Sequence, residues 1–220
     1  MQDNSSSLTE RYKSVCESIP DNVTLVAVSK FQPVESIQTL YNAGQRVFGE
    51  NRVQELVEKK PQLPDDIQWH CIGTLQTNKV KYIAPFVSLI HSVDSYKLLA
   101  EIDKQAKKNN RVIECLLEIF IAQEQTKHGL SFEEAEEILA LQSALPNIKI
   151  TGLMGMASNT DNKDQVRAEF KSLTSFYFRL YELYGLTTLS MGMSGDYKIA
   201  IEEGSNMVRV GSSIFGERVY

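Results

Sequence analysis

Leu25-Val26-Ala27-Val28-Ser29-Lys30-Phe31-Gln32-Pro33 is the stretch on which the reading of the fold turns. Its four leading residues are apolar, partly β-branched and too few for a helix, so they predict a buried strand. Pro33 suits the first turn of a following helix, which puts Lys30 at a strand-to-helix corner. An ammonium at such a corner is costly to desolvate unless it is paired or neutralised. Desolvation also favours the neutral amine, the form that attacks a carbonyl and makes a Schiff base. The structural alternative is a lysine that snorkels to solvent from a strand edge.

Outward from that corner, strand-like and helix-like runs alternate. Strands are expected near Leu25–Val28, Arg46–Phe48, Gln68–Ile72, Leu89–Ser92, Cys115–Ile121, Ile148–Leu153, Thr188–Met191 and Met207–Val210. Between them fall amphipathic stretches at Val34–Tyr41, Val53–Lys59, Lys79–Ile83, Tyr96–Lys108, Phe132–Leu141, Gln165–Tyr184 and Tyr197–Glu202, with a short turn from Ser212. An extra N-terminal helix, about Leu8–Ser18, precedes the first strand, and Thr9 and Asp94 read as helix caps. Such alternation predicts a parallel sheet with helices outside, and eight units at this spacing fit a closed (β/α)8 TIM barrel better than an open sheet. No linker or low-complexity tract divides residues 1–220, so a single domain is expected.

Composition narrows the function classes. Hydrophobic residues make up 42% and charged residues 23% of the 220, enough apolar material for a sizeable core. The net charge is −5 and the basic residues Lys104, Lys107, Lys108 and Arg111 read as a helix C-terminus, so nucleic acid is not an expected partner. The polar opening residues and the lack of a long apolar run argue against a secretory signal or a membrane span, and point to a cytoplasmic protein. Cys16, Cys71 and Cys115 are odd in number, without a CxxC, and read as reduced thiols. His70, His91 and His128 lack metal-ligand spacing; His70 and His91 read as structural, hydrogen-bonded groups. Trp69 and Phe176-Tyr177-Phe178 read as core, and the run Glu133-Glu134-Glu136-Glu137 as a solvated helix start.

In a barrel of this kind, chemistry belongs at the C-terminal ends of the strands, often with a phosphate held after strands seven and eight. Gly211-Ser212-Ser213 follows the eighth expected strand and Gly192-Met193-Ser194-Gly195-Asp196 the seventh. A glycine permits close backbone approach, N–H groups opening a helical turn point at an anion, and serine hydroxyls add donors. Two ordinary loops with a serine cap would look the same locally. Arg209 lies inside the apolar run Met207-Val208-Arg209-Val210 and needs a partner. That partner is either a buried acid or, because strands one and eight meet when a barrel closes, the pocket that Lys30 faces.

The segments LVAVSKFQP, FGENRVQEL, WHCIGTLQTNKVK, IHSVD, GLMGMA, LSMGMSGDYKIAIEEG and MVRVGSSIFGER together resemble the pyridoxal phosphate homeostasis protein family, itself similar to the barrel domain of alanine racemases. The resemblance runs from about Leu25 to Arg218. It implies a fold-type III barrel with pyridoxal 5'-phosphate (PLP) joined to Lys30 as a Schiff base. It further implies phosphate contacts from Ser194, Gly211, Ser212 and Ser213, Arg209 at the pyridine nitrogen, and Asn51 beside the ring. Two departures stand out: Glu124–Gly129 replaces the usual step after strand five, so His128 is given no cofactor role, and Cys71 stands where an aromatic residue is common. The family's racemase cousins use a second base, a tyrosine from another domain of the partner subunit. This chain ends at Tyr220, which is not expected to substitute. The expectation is therefore a monomeric PLP holder acting in intracellular PLP homeostasis, with PLP-dependent apoenzymes as candidate recipients. The alternatives are a PLP-dependent amino-acid enzyme such as a weak racemase, and a Schiff-base aldolase acting on a sugar phosphate.

Overall fold

The computed structural model describes residues 7–123 and 129–216. Its core is a closed barrel of eight parallel strands in sequential order: β1 Thr24–Val28, β2 Val47–Glu50, β3 Gln68–Cys71, β4 Leu89–Val93, β5 Ile113–Ile119, β6 Ile148–Gly155, β7 Thr188–Ser190 and β8 Met207–Val210. The helices are α1 Leu8–Glu17, α2 Val34–Asn42, α3 Val53–Lys59, α4 Val80–Ile83, α5 Tyr96–Lys108, α6 Phe132–Leu141, α7 Lys163–Tyr184, α8 Tyr197–Glu202 and α9 Ser212–Phe215. Helix α1 precedes the first strand, as expected. No described helix is long and apolar enough to cross a membrane.

Period-two alternation divides each strand between two environments. Val26, Leu89, Leu116, Met154 and Met207 form a small cluster inside the barrel. The alternate residues, Ala27, Phe48, Trp69, Ile90, Leu117, Leu153, Leu189 and Val208 among them, pack outward under the helices in the main core. Parallel strands are thus apolar on both faces, which is why they read as short continuous hydrophobic runs. Trp69 is buried against Phe48. Of the expected aromatic core cluster, Phe176 and Tyr177 are buried, but Phe178 is 57% exposed, because it falls on the outer face of α7.

The caps lie beside the expected ones. Ser7, not Thr9, caps α1: its Oγ accepts from Glu10 N–H, and Glu10 returns the bond to Ser7 N–H. Ser95, not Asp94, caps α5, and Asp94 accepts from the Ser95 hydroxyl. Ser131 and Glu134 make a second capping box on α6, which gives one member of the glutamate run a defined role. Asn162 caps α7, which starts at Lys163, two residues before the expected Gln165, and Gly185, at φ +66°, ends it in the left-handed conformation. Strand β2 runs on through Gly49 and Glu50, two residues that read as loop. It does so because Ser29 N–H donates to Gly49 O and Ile72 N–H to Glu50 O, extending the ladder on both sides. All three cysteines are free thiols, and burial pushes Cys71 up to about 12, out of reach of ordinary thiolate chemistry.

Gly152 marks the closest approach of β6 to β7. A Cβ there would lie 1.8 Å from the Thr188 carbonyl oxygen, so the backbone itself has to move to admit any side chain. Gly152→Ala should cost on the order of 3 kcal/mol or more, while Gly195→Ala, whose Cβ would meet nothing within 4 Å, should change stability by no more than about 0.5 kcal/mol. Urea midpoints at equal m-value measure both.

Candidate functional site at the barrel mouth

The inward positions of three strands converge at the C-terminal mouth. Continuing the alternation, Val26 and Val28 lead to Lys30, Gly49 leads to Asn51, and Met207 and Arg209 lead to Gly211. The closing pair β1–β8 sets Val26 opposite Arg209 and Ala27 opposite Val210. The result is a cavity of about 280 Å³ lined by Lys30, Asn51, Ser194, Arg209, Gly211 and Ser212, at the small end of the roughly 300–1,000 Å³ usual for ligand pockets. Gln32, Ile72, Met156, Met193 and Phe215 complete its walls. The sequence reading does not single these out; Ile72 and Met156 directly follow strand ends, while Gln32, Met193 and Phe215 lie further along the segments after β1, β7 and β8.

Lys30 stands two residues beyond β1, half-buried in a turn closed by Gln32 N–H donating to Ser29 O. The buried strand end expected for it is therefore a half-open corner. Pro33 sits one position earlier than expected, as the cap of α2 and not in its first turn. Across the cavity, β8 ends at Val210, and after Gly211 alone α9 begins. Ser194 Oγ accepts from Gly211 N–H at 3.1 Å and from Ser213 N–H at 3.4 Å. These convergent N–H groups and the serine hydroxyls are donors of the kind that could hold an anion, here called the cradle. A Cβ on Gly211 would press on Val28 at 3.3 Å, so this glycine lets the end of β8 close onto β1. Ser213 differs from its neighbours: its hydroxyl turns to the Ser194 carbonyl at 3.5 Å, and it lines the outer groove beside Tyr197 and Lys198 instead of the cavity.

Arg209 is only 4% exposed and no ion pair to it is formed among the described residues. Its guanidinium donates instead to Ser190 Oγ at 2.6 Å, Ser190 O at 3.0 Å and Gly155 O at 3.2 Å. Burial lowers its pKa to about 10, opposed by the more distant charges of Asp196 and Glu118, so it stays cationic at neutral pH. Glu118, pointing inward from β5, is raised to about 7, mainly by burial and then by Asp94.

Beneath Arg209 runs a chain that the sequence did not reveal. Ser190 Oγ lies 3.2 Å from His91 Nδ1, and His91 Nε2 lies 3.0 Å from His70 Nδ1. Arginine can only donate, so Ser190 accepts from it and its own O–H donates to His91 Nδ1, whose Nε2–H then donates to His70 Nδ1. Both imidazoles are neutral: burial alone pushes His70 down from 6.5 to about 3, and burial, His70 and Arg209 push His91 well down. The structural reading of both histidines thus holds, with the addition that they brace Arg209 from below. His128 and Tyr220 lie outside the described residues. Among the described residues no cluster suits a metal ion.

With that geometry in hand, comparison with known proteins is informative. The family model for the alanine racemase N-terminal domain matches residues 4–219. The pyridoxal phosphate homeostasis protein of Aquifex aeolicus is 43% identical over 221 residues, covering 98% of this chain and 97% of that protein. Its namesake from Escherichia coli K12 is 34% identical, covering 93% and 90%. Among solved structures, PipY of Synechococcus elongatus with PLP bound superposes with a TM-score of 0.87 at 35% identity, over 96% of this chain and all of that one. An alanine racemase from Clostridium difficile 630 shares the fold at a TM-score of 0.80 and 15% identity, with 57% of its chain covered.

The neutral imidazoles have a consequence for stability. A group whose folded pKa is depressed contributes stability above its unfolded pKa and loses it as pH falls toward the folded value. His70→Asn keeps an acceptor for His91 and cannot titrate. The difference in unfolding free energy between parent and variant should therefore shrink as pH falls from 6.5 toward 3, by up to about 1.4 kcal/mol per pH unit. Glu50 and Glu118, both raised, act oppositely but are common to the two proteins. Denaturant titrations across that range give the difference directly, and a constant gap would mean that His70 is not held neutral.

Proposed function

Because the chain belongs to the alanine racemase N-terminal-domain family, and within it to the pyridoxal phosphate homeostasis proteins, we propose that residues 1–220 form a single PLP-binding domain that holds the cofactor for delivery and buffering. The observation that carries this reading is one cavity lined at once by an amine, an anion cradle and a buried guanidinium. Those three groups match the three ends of PLP: aldehyde, phosphate and pyridine nitrogen. When bound, PLP supplies an electrophilic aldehyde and an electron-withdrawing ring. Lys30 would hold the cofactor as a Schiff base, its amine condensing with the aldehyde as water is released, with no oxidant or reductant required. Gly211, Ser212 and Ser194 would hold the phosphate, Asn51 would flank the ring, and Arg209 would face the nitrogen.

What supports a holder over an efficient enzyme is the chemistry of the walls. A permanent cation at the ring nitrogen opposes its protonation, and so weakens the carbanion stabilisation that amino-acid chemistry draws on. Lys30 is the one group among the described lining residues that can act as a base, whereas racemisation needs a base on each face of the substrate carbon. Among its described lining residues, the same cavity offers a sugar phosphate no acid for aldol chemistry beyond Lys30 itself. On this reading the protein is a cytoplasmic monomer, and PLP-dependent apoenzymes are its recipients.

Borohydride reduction of the PLP-loaded protein followed by peptide mass spectrometry should place a pyridoxyl-phosphate adduct on Lys30. Lys30→Ala should lose the adduct while keeping weaker, noncovalent binding. An adduct that persists elsewhere in Lys30→Ala would move the covalent site.

Ser212→Ala should weaken PLP retention by less than about tenfold, since a neutral hydrogen bond contributes roughly 0.5–1.5 kcal/mol and the backbone donors remain. Ser213→Ala should matter less still, its hydroxyl being turned away from the cavity. Gly211→Val should do the most damage, by driving β8 off Val28. Equilibrium dialysis ranks the three, and a Gly211→Val protein with parental affinity would dislodge the cradle. Racemisation and transamination of common amino acids should stay at background. Rapid, Lys30-dependent exchange of an amino acid's α-hydrogen would favour the enzyme reading instead.

A further inference from the structure

Two acids of the segment FGENRVQEL, Glu50 and Glu55, have no place in the cavity, yet they form the most buried charged cluster of the described residues together with Lys59. Lys59 Nζ donates to Glu50 Oε1 at 2.8 Å, to Glu55 Oε2 at 2.7 Å and to the Ser29 carbonyl at 3.0 Å. Ser29 Oγ donates to Glu50 Oε1 at 2.7 Å, and the N–H of Phe31 donates to Glu55 Oε2 at 2.7 Å. Ser29 and Glu50 have outward parity on β1 and β2, so the cluster lies between sheet and α3, behind the cavity wall. Its two points of attachment to the first strand are the residues on either side of Lys30.

We propose that Glu50, Glu55 and Lys59 are positioning residues for Lys30, clamping the peptide groups before and after it so that its amine reaches the aldehyde of a phosphate-anchored ligand. The inference rests on the covalent role proposed above for Lys30. Phe31 shows what the clamp does. It is 53% exposed, yet it stands at φ +65°, a conformation that bulky residues hold only where their surroundings impose it. The bond from its N–H to Glu55, with Arg52 stacked over its ring at 5.0 Å, supplies that imposition. Were Phe31 to relax to negative φ, the peptide joining it to Lys30 would rotate and swing the lysine stem.

The cluster is built to stay. Two carboxylates face one ammonium, and Glu50 Oε2 and Glu55 Oε1 are buried without a hydrogen-bond partner. Burial, stronger here than the attraction of Lys59, raises Glu50 to about 7. Burial also pushes Glu55 up, but the bonds from Lys59 and from Phe31 N–H outweigh it, leaving Glu55 lowered. The acid that holds Phe31 is thus the one that stays ionised. Because none of the three lines the cavity, they act through the backbone of the corner and not on the ligand.

The test follows Schiff-base formation after mixing with PLP by stopped-flow absorbance, with noncovalent affinity measured separately and Lys30 adducts counted after borohydride reduction. Glu55→Leu and Lys59→Met should slow covalent attachment by about tenfold or more, since a shift of an ångström at the reacting atom is enough for such losses, while leaving noncovalent affinity within about threefold. Glu55→Gln, which keeps an acceptor for Phe31 N–H, should restore most of the rate. A crystal structure of Glu55→Leu should show Phe31 at negative φ. Folded Glu55→Leu that attaches PLP at the parental rate would overturn the inference alone. A parent protein that yields no adduct on Lys30 would remove the covalent reading and the inference with it. Should Lys59→Met not fold, Glu55→Leu carries the decision, because that helix-surface side chain is partly open to solvent.

Discussion

Closure of the barrel between β1 and β8 is the constraint on which the rest depends. The strands that begin and end the sheet are separated by nearly the whole chain, and their parallel pairing from Thr24–Met207 to Ala27–Val210 turns sequence ends into spatial neighbours. Register then decides the chemistry. With Val26 opposite Arg209, the inward positions above them are Val28, Lys30 and Gly211, so amine, guanidinium and cradle share one mouth. A slip of one residue in β8 would send Arg209 out under the helices and Val208 or Val210 into the cavity. Closed barrels tolerate no such slip, because every strand is held on both sides.

Inside so narrow a tube, polar groups have to satisfy one another. Arg209 has no acid at ion-pair distance among the described residues, and it remains charged because two carbonyls and a hydroxyl receive its protons. A carboxylate partner would have balanced the charge and loosened the demand for well-placed acceptors. The hydroxyl instead passes orientation down to His91 and His70, both held neutral by burial. Positive charge is thereby confined to the top of the barrel, where an anionic ligand would compensate it, and the layer beneath carries none.

Much of this is legible in the amino-acid sequence. The eight alternating units, the strand-end corner at Lys30, and the glycine and serines after the last strands follow from periodicity and turn chemistry, and the structure brings them to one place. Less legible was whatever depends on which face of an element is covered. Lys59 ends a helix, where a lysine ordinarily reaches into solvent; only the fold shows that α3 tucks it behind β1 and β2. Ser190 looks like an unremarkable strand serine until β7 parity points it at Arg209. Ser213 follows Ser212 in sequence and reads as its equal, but the first turn of α9 carries it to the opposite side. Caps were missed by one or two residues because Ser7 and Ser95 compete with nearby residues of similar propensity, and only the reciprocal hydrogen bonds decide between them.

The cradle bears on the difference between keeping a cofactor and handing it over. Convergent N–H groups that bind a phosphate are a liability once it departs, since unpaired donors in a partly buried site are costly. Here Ser194 Oγ accepts from both Gly211 and Ser213, so these donors have an acceptor supplied by the protein itself. Release of an anion then exchanges one set of hydrogen bonds for another instead of abandoning them. A Schiff base adds the matching property at the other end of the ligand, because water reverses it without any redox partner. On the proposed reading, a half-open lysine corner clamped from behind would release its ligand to water without a redox partner, and the cradle left behind would keep its Gly211 and Ser213 donors paired to Ser194.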